Sequence, residues 1–217
     1  MAEGSNSETL FVTIWKGELM FDLALCCYKT RKILEMAESG NRLMPLAPST
    51  PLNGEGLEYL RDASPEELVH SPVVSTEFSE CFRSTLFLYF SAIEESHIIS
   101  QSISSPTGSL LHGIMHRQEC DFPNSKYWFR KVGQHEIFPA LYRNALGLLG
   151  SVNSSPARRL ALEIENHMQW NPFWFIDQCE LVNNGIATEL EQLLTELQQL
   201  EWQLVFDHCL HGTLKND

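Results

Sequence analysis

Apolar residues recur three or four positions apart over most of this chain, which is the spacing of helices that bury one face. The first such block runs from about Glu8 to Met36, and Ser7 is placed to cap it. Its run LFVTIW is rich enough in β-branched residues to begin a strand. No second strand with turn chemistry follows that run, so we interpret the whole block as helical.

The chain then changes character from Ser39 to about Val74, where glycine, proline, serine and asparagine dominate and the centre reads APSTPLNGEG. We predict a long loop over 39–74, with one short helix where Ser64 precedes Pro65 and two glutamates. Loops of this length are uncommon inside compact domains and are often lids or binding loops. The segment is therefore a candidate for function.

Seven further stretches show a helical pattern, and several begin at a serine, aspartate or asparagine that lies just before a proline. Ser155 and Asn171 are the expected N-caps of two of these helices, and Gly212 is the expected C-cap of the last one. We predict helices over 75–100, 110–119, 123–132, 136–149, 156–168, 172–182 and 187–210. The pattern indicates an all-α fold, an irregular helical bundle of about eight helices in a single domain over 1–217.

Composition agrees with a folded globular protein, since 43% of the 217 residues are hydrophobic and 20% are charged. The acidic net charge of −13 disfavours nucleic acid and anionic membrane surfaces as partners. No stretch reaches the roughly 18 apolar residues of a membrane span, and the N-terminus lacks a signal-peptide pattern. The six cysteines form no C-x-x-C pair, which favours reduced thiols and a cytoplasmic protein.

The candidate chemistry lies in the segment 111–133, LHGIMHRQECDFPNSKYWFRKVG. His112 and His116 are four residues apart on a predicted helix and Glu119 is three further, so all three project from one face. Two imidazoles and a carboxylate at this spacing can share a divalent metal. The segment lacks the glutamate of an H-E-x-x-H helix, so a metalloprotease is not indicated. A small enzyme that uses the two imidazoles for proton transfer is the related alternative.

The same histidines also have a structural interpretation. A 34-residue window here has the arrangement of a tetratricopeptide-like (TPR-like) helix pair, with Gly113 at the small position of the first helix and Phe129 at the aromatic position of the second. In this register His112 and His116 lie against the second helix as buried, hydrogen-bonded side chains. We expect a site if solvent reaches both imidazoles in one cleft, and structural histidines if they are buried against Trp128.

The segment 111–133 resembles a family of uncharacterised bacterial and fungal proteins. The resemblance is carried by a histidine, a His-Arg pair, an acidic turn, an asparagine and a Tyr-Trp-Phe-Arg run: His112, His116, Arg117, Glu119, Asp121, Asn124, Tyr127, Trp128 and Arg130. The family has no assigned activity, so the resemblance implies a helix pair and no reaction. Its turn usually reads Glu-Gly-Asp, whereas this chain has Cys120 at the glycine position, where a positive φ costs about 1 kcal/mol.

The basic residues of this segment have two interpretations. Arg117 and Arg130 lie beside Glu119 and Asp121 in the sequence, so they form either buried ion pairs that fix the helix pair or an anion site. We expect a binding or interaction protein whose partner is another protein or a small anionic ligand such as a carboxylate or phosphate. Its groove is predicted from the histidines, arginines and aromatic residues near this turn: His112, His116, Arg117, Asp121, Tyr127, Trp128, Arg130 and His135.

Two E-x-x-H strings, Glu67–His70 and Glu94–His97, match half of the ligand pattern of dimetal helical bundles. That pattern also needs a glutamate from each of two other helices, and the sequence does not identify them. No glycine-rich phosphate loop, G-x-S-x-G elbow or dinucleotide fingerprint occurs. We therefore expect no organic cofactor, and a divalent metal is the one cofactor that the sequence suggests.

The last predicted helix has a row of leucines at the spacing of a coiled-coil seam: Leu190, Leu193, Leu194, Leu197 and Leu200. About two heptads are too few to require a coiled-coil dimer. The seam suits packing inside the chain and a homodimer through the C-terminal helix equally well.

Overall fold

A computed structural model describes residues 14–15, 18–19, 23, 26–69 and 72–214. In this part of the chain ten α-helices occur: α1 Tyr28–Glu35, α2 Glu55–Asp62, α3 Thr76–Tyr89, α4 Ile93–Ser100, α5 Pro106–Gln118, α6 Phe122–Val132, α7 Phe138–Ser151, α8 Ser155–His167, α9 Pro172–Asn183 and α10 Glu191–Leu214. Short 3-10 helices cover Glu38–Gly40, Pro65–Leu68 and Thr188–Leu190. The all-α prediction is confirmed, with ten helices rather than about eight.

The first apolar block is not one helix, so that prediction is wrong. A strand β1 (Ile14–Trp15) pairs antiparallel with a strand β2 (Glu18–Leu19). The β-branched and aromatic residues of LFVTIW favour this extended backbone. Helix α1 begins only at Tyr28, where the thiol of Cys27 serves as the N-cap. The predicted cap Ser7 lies outside the described residues.

The segment predicted as a loop over 39–74 contains α2 and the 3-10 helix Pro65–Leu68. The sequence pattern did not predict α2, because this helix is only eight residues long and follows Gly54, which supplies no side-chain cap. It buries Leu57 and Leu60 completely. The short helix begins at Pro65 after the N-cap Ser64, which forms a capping box with Glu67, as the serine and glutamates of this segment indicate.

The helix predicted over 75–100 is two helices, α3 and α4, with a break at Ser91. Ser91 has a φ of 55°. This backbone conformation costs a serine free energy, which other contacts must offset. The Arg42 guanidinium holds it here by donating to the Ser91 hydroxyl at 3.1 Å and to the carbonyl of Tyr89. These contacts come from a distant part of the chain, so the local pattern did not reveal the break.

Helices α5 to α10 match their predicted ranges to within four residues at each end. Helix α5 begins at Pro106, four residues before its predicted start, with Ser105 as its N-cap, and Asp121 caps α6. The predicted cap of α9, Asn171, is confirmed, whereas α8 is capped by Ser154 and not by Ser155.

Helices α5 and α6 pack closely because Gly113 has no side chain. A Cβ on this residue would lie only 2.8 Å from Cδ2 of Phe129. The hydroxyl of Ser125 donates to the Gly113 carbonyl at 2.7 Å, which holds the same contact. In the turn between the helices, Cys120 has a φ of 63°, so the backbone strain expected at this position is present.

Replacing Gly113 by alanine should lower the free energy of unfolding by about 1–3 kcal/mol, because Phe129 must leave its rotamer or α6 must shift. Urea unfolding followed by circular dichroism measures the change. Gly150→Ala is the matched control, since Gly150 lies in α7 with open space around it. That variant should be as stable as the parent or more stable by up to about 1 kcal/mol. Equal losses in both variants would contradict the close packing of α5 on α6.

Helix α10 lies at the centre of the fold and contacts α3, α7 and α9. The leucines of its predicted seam are all buried within the chain, so the seam serves the intramolecular core and not a dimer surface. Gly212 lies inside α10 instead of capping it. Its lack of a side chain lets the ring of Phe78 pack there, since a Cβ would lie 2.3 Å from that ring. None of the described helices combines the length and the hydropathy that a membrane span requires.

Candidate metal centre

Three histidines meet beside the α5–α6 pair. His97 comes from α4, and His112 and His116 come from successive turns of α5. One ring nitrogen from each histidine lies within 4.8 Å of the other two. The closest pair is Nε2 of His112 and Nε2 of His116, which are 3.0 Å apart. The structure thus brings together the two histidines that the helical spacing singled out.

The two α5 histidines are almost completely buried. His112 is 2% exposed and His116 is 5% exposed, while His97 is partly buried. The His112 ring stacks on Trp128, with 4.0 Å between the ring centroids and 21° between the planes. This burial against Trp128 is the arrangement expected of structural histidines. It excludes an open, solvent-filled cleft around both rings, and any metal held here would be enclosed.

Glu119 does not lie beside the facing His112 and His116 nitrogens, where a shared metal would need it. Its carboxylate oxygen Oε2 is 3.1 Å from Nδ1 of His116, on the other side of that ring. A carboxylate accepts hydrogen bonds only, so Nδ1 carries the proton and Nε2 of His116 is a lone-pair acceptor. Glu119 therefore orients the His116 ring through Nδ1, the nitrogen that faces away from His112. His97 supplies the third nitrogen of the cluster.

The protein alone cannot satisfy every nitrogen of this pair. Nε2 of His116 already accepts from the side-chain amide of Asn124 at 3.0 Å. If Nε2 of His112 also carries a proton, then Nδ1 of His112 is a buried lone pair without a hydrogen-bond partner. If Nδ1 of His112 carries the proton instead, two lone pairs face each other at 3.0 Å. Each tautomer leaves a buried polar atom unpaired, which is rare in native structures.

The same surroundings keep both imidazoles neutral. Burial, followed by the charges of His116 and His97, lowers the pKa of His112 to about 4, while the backbone carbonyl of Ser100 opposes the shift. Burial also lowers the pKa of His116, against the opposing effect of Glu119. At neutral pH both rings are unprotonated, which is the form that binds metal ions.

The sequence suggested that Arg117 pairs with Glu119 or Asp121, but the structure shows a different partner. Its guanidinium is fully buried and makes a bidentate ion pair with Glu201 of α10. Asp121 is exposed and caps α6 through the backbone N–H of Asn124. The predicted buried pairing of Arg117 and Arg130 with Glu119 and Asp121 is therefore wrong, since both acids and Arg130 are exposed. The buried pair that Arg117 does make joins α5 to α10.

The other residues of the predicted groove do not converge on one surface. Tyr127 is 49% exposed and Arg130 is exposed, and the ammonium group of Lys131 lies over the Trp128 ring at 4.1 Å. His135 is buried elsewhere, where its Nε2 lies 3.2 Å from the Thr107 hydroxyl. Arg130 and His116 do not share a cavity, because one faces solvent and the other is buried.

The sequence indicates His97 only as part of the string Glu94–His97, which is half of a dimetal pattern. Its partner string cannot be placed, since His70 lies outside the described residues, and Glu67 binds Lys29 at 3.0 Å. The short connection between α4 and α5 is a better sequence signal for the contribution of His97. His97 is one turn from the end of α4 and His112 is less than two turns into α5, so this connection brings the two histidines together.

No protein-family model, curated protein or solved structure matches the chain. The resemblance of the segment 111–133 to a bacterial and fungal family, and its TPR-like arrangement, stay predictions. The interpretation of the centre therefore rests on its geometry and on the chemistry of its donor atoms.

Proposed function

We propose that this protein binds a divalent transition metal ion, with zinc preferred, through His97, His112 and His116. The observation that carries the proposal is the 3.0 Å separation of two buried Nε2 atoms: with Nδ1 of His116 donating to Glu119, neither neutral tautomer of His112 pairs both of its ring nitrogens. Zinc–nitrogen bonds of about 2.0–2.1 Å at tetrahedral angles place two ligand nitrogens about 3.3–3.4 Å apart. A cation between the rings would accept both lone pairs after a small adjustment.

The surroundings of the rings support the same assignment. Histidines that bind metal usually donate their other N–H to a carboxylate or a backbone carbonyl, which fixes the tautomer and the ring orientation. Glu119 is such a partner for His116, at 3.1 Å from Nδ1. This contact fixes the His116 ring so that its Nε2 points into the cluster.

Metal analysis of the untagged full-length protein tests the proposal. Purified protein, or chelator-treated protein after addition of zinc and gel filtration, should contain about one zinc ion per chain by plasma mass spectrometry. His112→Ala and His97→Gln should each lose most of the metal. His167→Gln is the matched control, since His167 lies at the end of α8 and contacts Asn171, and it should keep the metal.

The result that would overturn the proposal is a parent protein that neither contains zinc nor takes it up. Because His112 stacks on Trp128, its alanine variant can lose metal simply by unfolding. His97 is partly exposed, so His97→Gln separates the two causes. Loss of metal from His97→Gln with an unchanged circular dichroism spectrum supports ligation, and retention of metal contradicts it.

A further inference from the structure

We infer that Asn124 is the fourth ligand of this centre, through its side-chain oxygen, and that the site is closed to solvent. The inference rests on the proposed metal site and goes beyond it, because it makes the metal a structural link between helices. The side-chain amide of Asn124 lies 3.0 Å from Nε2 of His116. The same nitrogen is 3.0 Å from Nε2 of His112, so the amide contacts the His116 atom that faces His112.

The hydrogen bond of Asn124 must change when a cation occupies the centre. In the metal-free arrangement Nδ2 of Asn124 donates to the lone pair of His116. A cation that takes this lone pair would face the positive N–H groups of the amide, which is unfavourable. A half-turn of the amide group exchanges Nδ2 and Oδ1 at little cost, because this terminal torsion is broad and roughly two-fold. The side-chain oxygen then faces the cation.

The backbone holds Asn124 in place for this role. Its N–H donates to the Asp121 carboxylate at 3.2 Å, within the first turn of α6. The close contact between Gly113 and Phe129 fixes α6 against α5. An asparagine side chain has two torsions, so little conformational freedom is lost on binding.

A set of three imidazoles and one amide oxygen fills the four positions of a tetrahedral zinc site. Structural zinc sites are closed in this way, whereas catalytic sites keep one position for water or substrate. The burial of His112 and His116 and the stacking of Trp128 agree with a closed site. The metal would then join α4, α5 and α6, and no metal-bound water would be present for hydrolysis.

Cobalt(II) in the full-length untagged protein tests this assignment, since its visible absorption reports the number and exchange of ligands. The parent should show the intense absorption of a four-coordinate site, and added azide should leave the spectrum unchanged. Asn124→Leu should bind cobalt about 10-fold to 100-fold more weakly and should become sensitive to azide. Asn124→Asp should stay insensitive to azide, because a carboxylate oxygen can replace the amide oxygen. Asn184→Leu, at the exposed end of α9, is the matched control and should behave as the parent.

The outcomes separate this inference from the proposal on which it depends. Cobalt bound by the parent with a spectrum that azide changes would show an exchangeable fourth ligand, which overturns the role of Asn124 and leaves the three-histidine site standing. Failure of the parent to bind cobalt or zinc removes both. If Asn124→Leu does not fold, the azide response of the parent and of Asn124→Asp still decides the question, since sensitivity in either one contradicts a closed site.

Discussion

Replacing Arg117 by methionine should lower the free energy of unfolding by about 3–5 kcal/mol, the largest effect that we expect from a single substitution. Both charges of the Arg117–Glu201 pair are buried, with side-chain exposures of 0% and 1%. Without the guanidinium, the Glu201 carboxylate would remain in the core without a counter-charge. Gln198 would also lose a hydrogen bond, since its side-chain oxygen accepts from Arg117 at 3.4 Å.

The position of Arg117 explains why the loss should spread through the fold. Its guanidinium lies 4.5 Å from the ring centre of Phe175 in α9, while Glu201 belongs to α10. Gln198 donates in turn to the carbonyls of Met44 and Pro45 at 3.1 Å. One buried cation therefore joins α5, α9, α10 and the segment before α2.

Equilibrium urea unfolding of the parent, of Arg117→Met and of the double variant Arg117→Met with Glu201→Leu measures the effect. The double variant should recover most of the lost stability, because it leaves no unpaired charge in the core. Arg159→Met is the control for a surface pair, since Arg159 and Glu189 are about half exposed at 3.0 Å, and it should change stability very little. A double variant as unstable as the single one would contradict the role of the unpaired carboxylate.

Acidification from pH 7 to pH 5 in the presence of a chelator should destabilise the protein by about 2 kcal/mol for each of two buried histidines. Burial, followed by the charges of His116 and His97, lowers the pKa of His112 to about 4. Burial, followed by the charge of His208, also lowers the pKa of His135 to about 4. The ordinary value in an unfolded chain is 6.5.

The sign of this effect follows from proton binding. Below pH 6.5 the unfolded chain takes up protons that the folded chain does not bind until the pH approaches 4, so acid favours the unfolded state. The stabilising contribution of each neutral histidine is complete above pH 6.5 and is lost as the pH falls. Because metal binding needs neutral imidazoles, bound zinc would add to the loss, and the chelator removes that contribution.

Urea unfolding at pH 7, 6 and 5 gives the slope for the parent, for His112→Gln and for His135→Gln. Each variant should lose about 2 kcal/mol less than the parent over this range, since glutamine does not titrate. Carboxylates titrate alike in all three proteins and cancel in the comparison. Slopes that are parallel in the parent and in both variants would contradict the lowered pKa of these histidines.

The sequence predicted helices best where side chains near the start of the helix satisfy its free N–H groups. Asp121 and Asn171 each cap the helix that follows, and a proline lies in the first turn of both helices. These caps act within four residues, so a local pattern contains them completely. The break at Ser91 depends instead on Arg42, which is far away in the sequence, and no local pattern could reveal it.

In the candidate centre, too, local spacing predicts some of the residues and helix packing decides the others. The helical spacing of His112 and His116 predicts that their rings meet, and the structure brings them together. Glu119, predicted as a third metal ligand, lies instead at Nδ1 on the other side of the His116 ring. The contributions of His97 and Asn124 depend on how α4 and α6 pack against α5, which the sequence spacing does not encode.

By itself the sequence determined the helical class, several helix starts and the pair of histidines, because each depends on side chains within one or two turns of each other. The tertiary structure alone decided which nitrogen of His116 faces Glu119, that Arg117 pairs with Glu201, and that the leucines of α10 are used inside the chain. Those outcomes depend on which helix faces lie together and on how deeply each charge is buried. Burial also lowers the histidine pKa values and encloses the centre, and it is a property of the packed chain and not of any short segment of it.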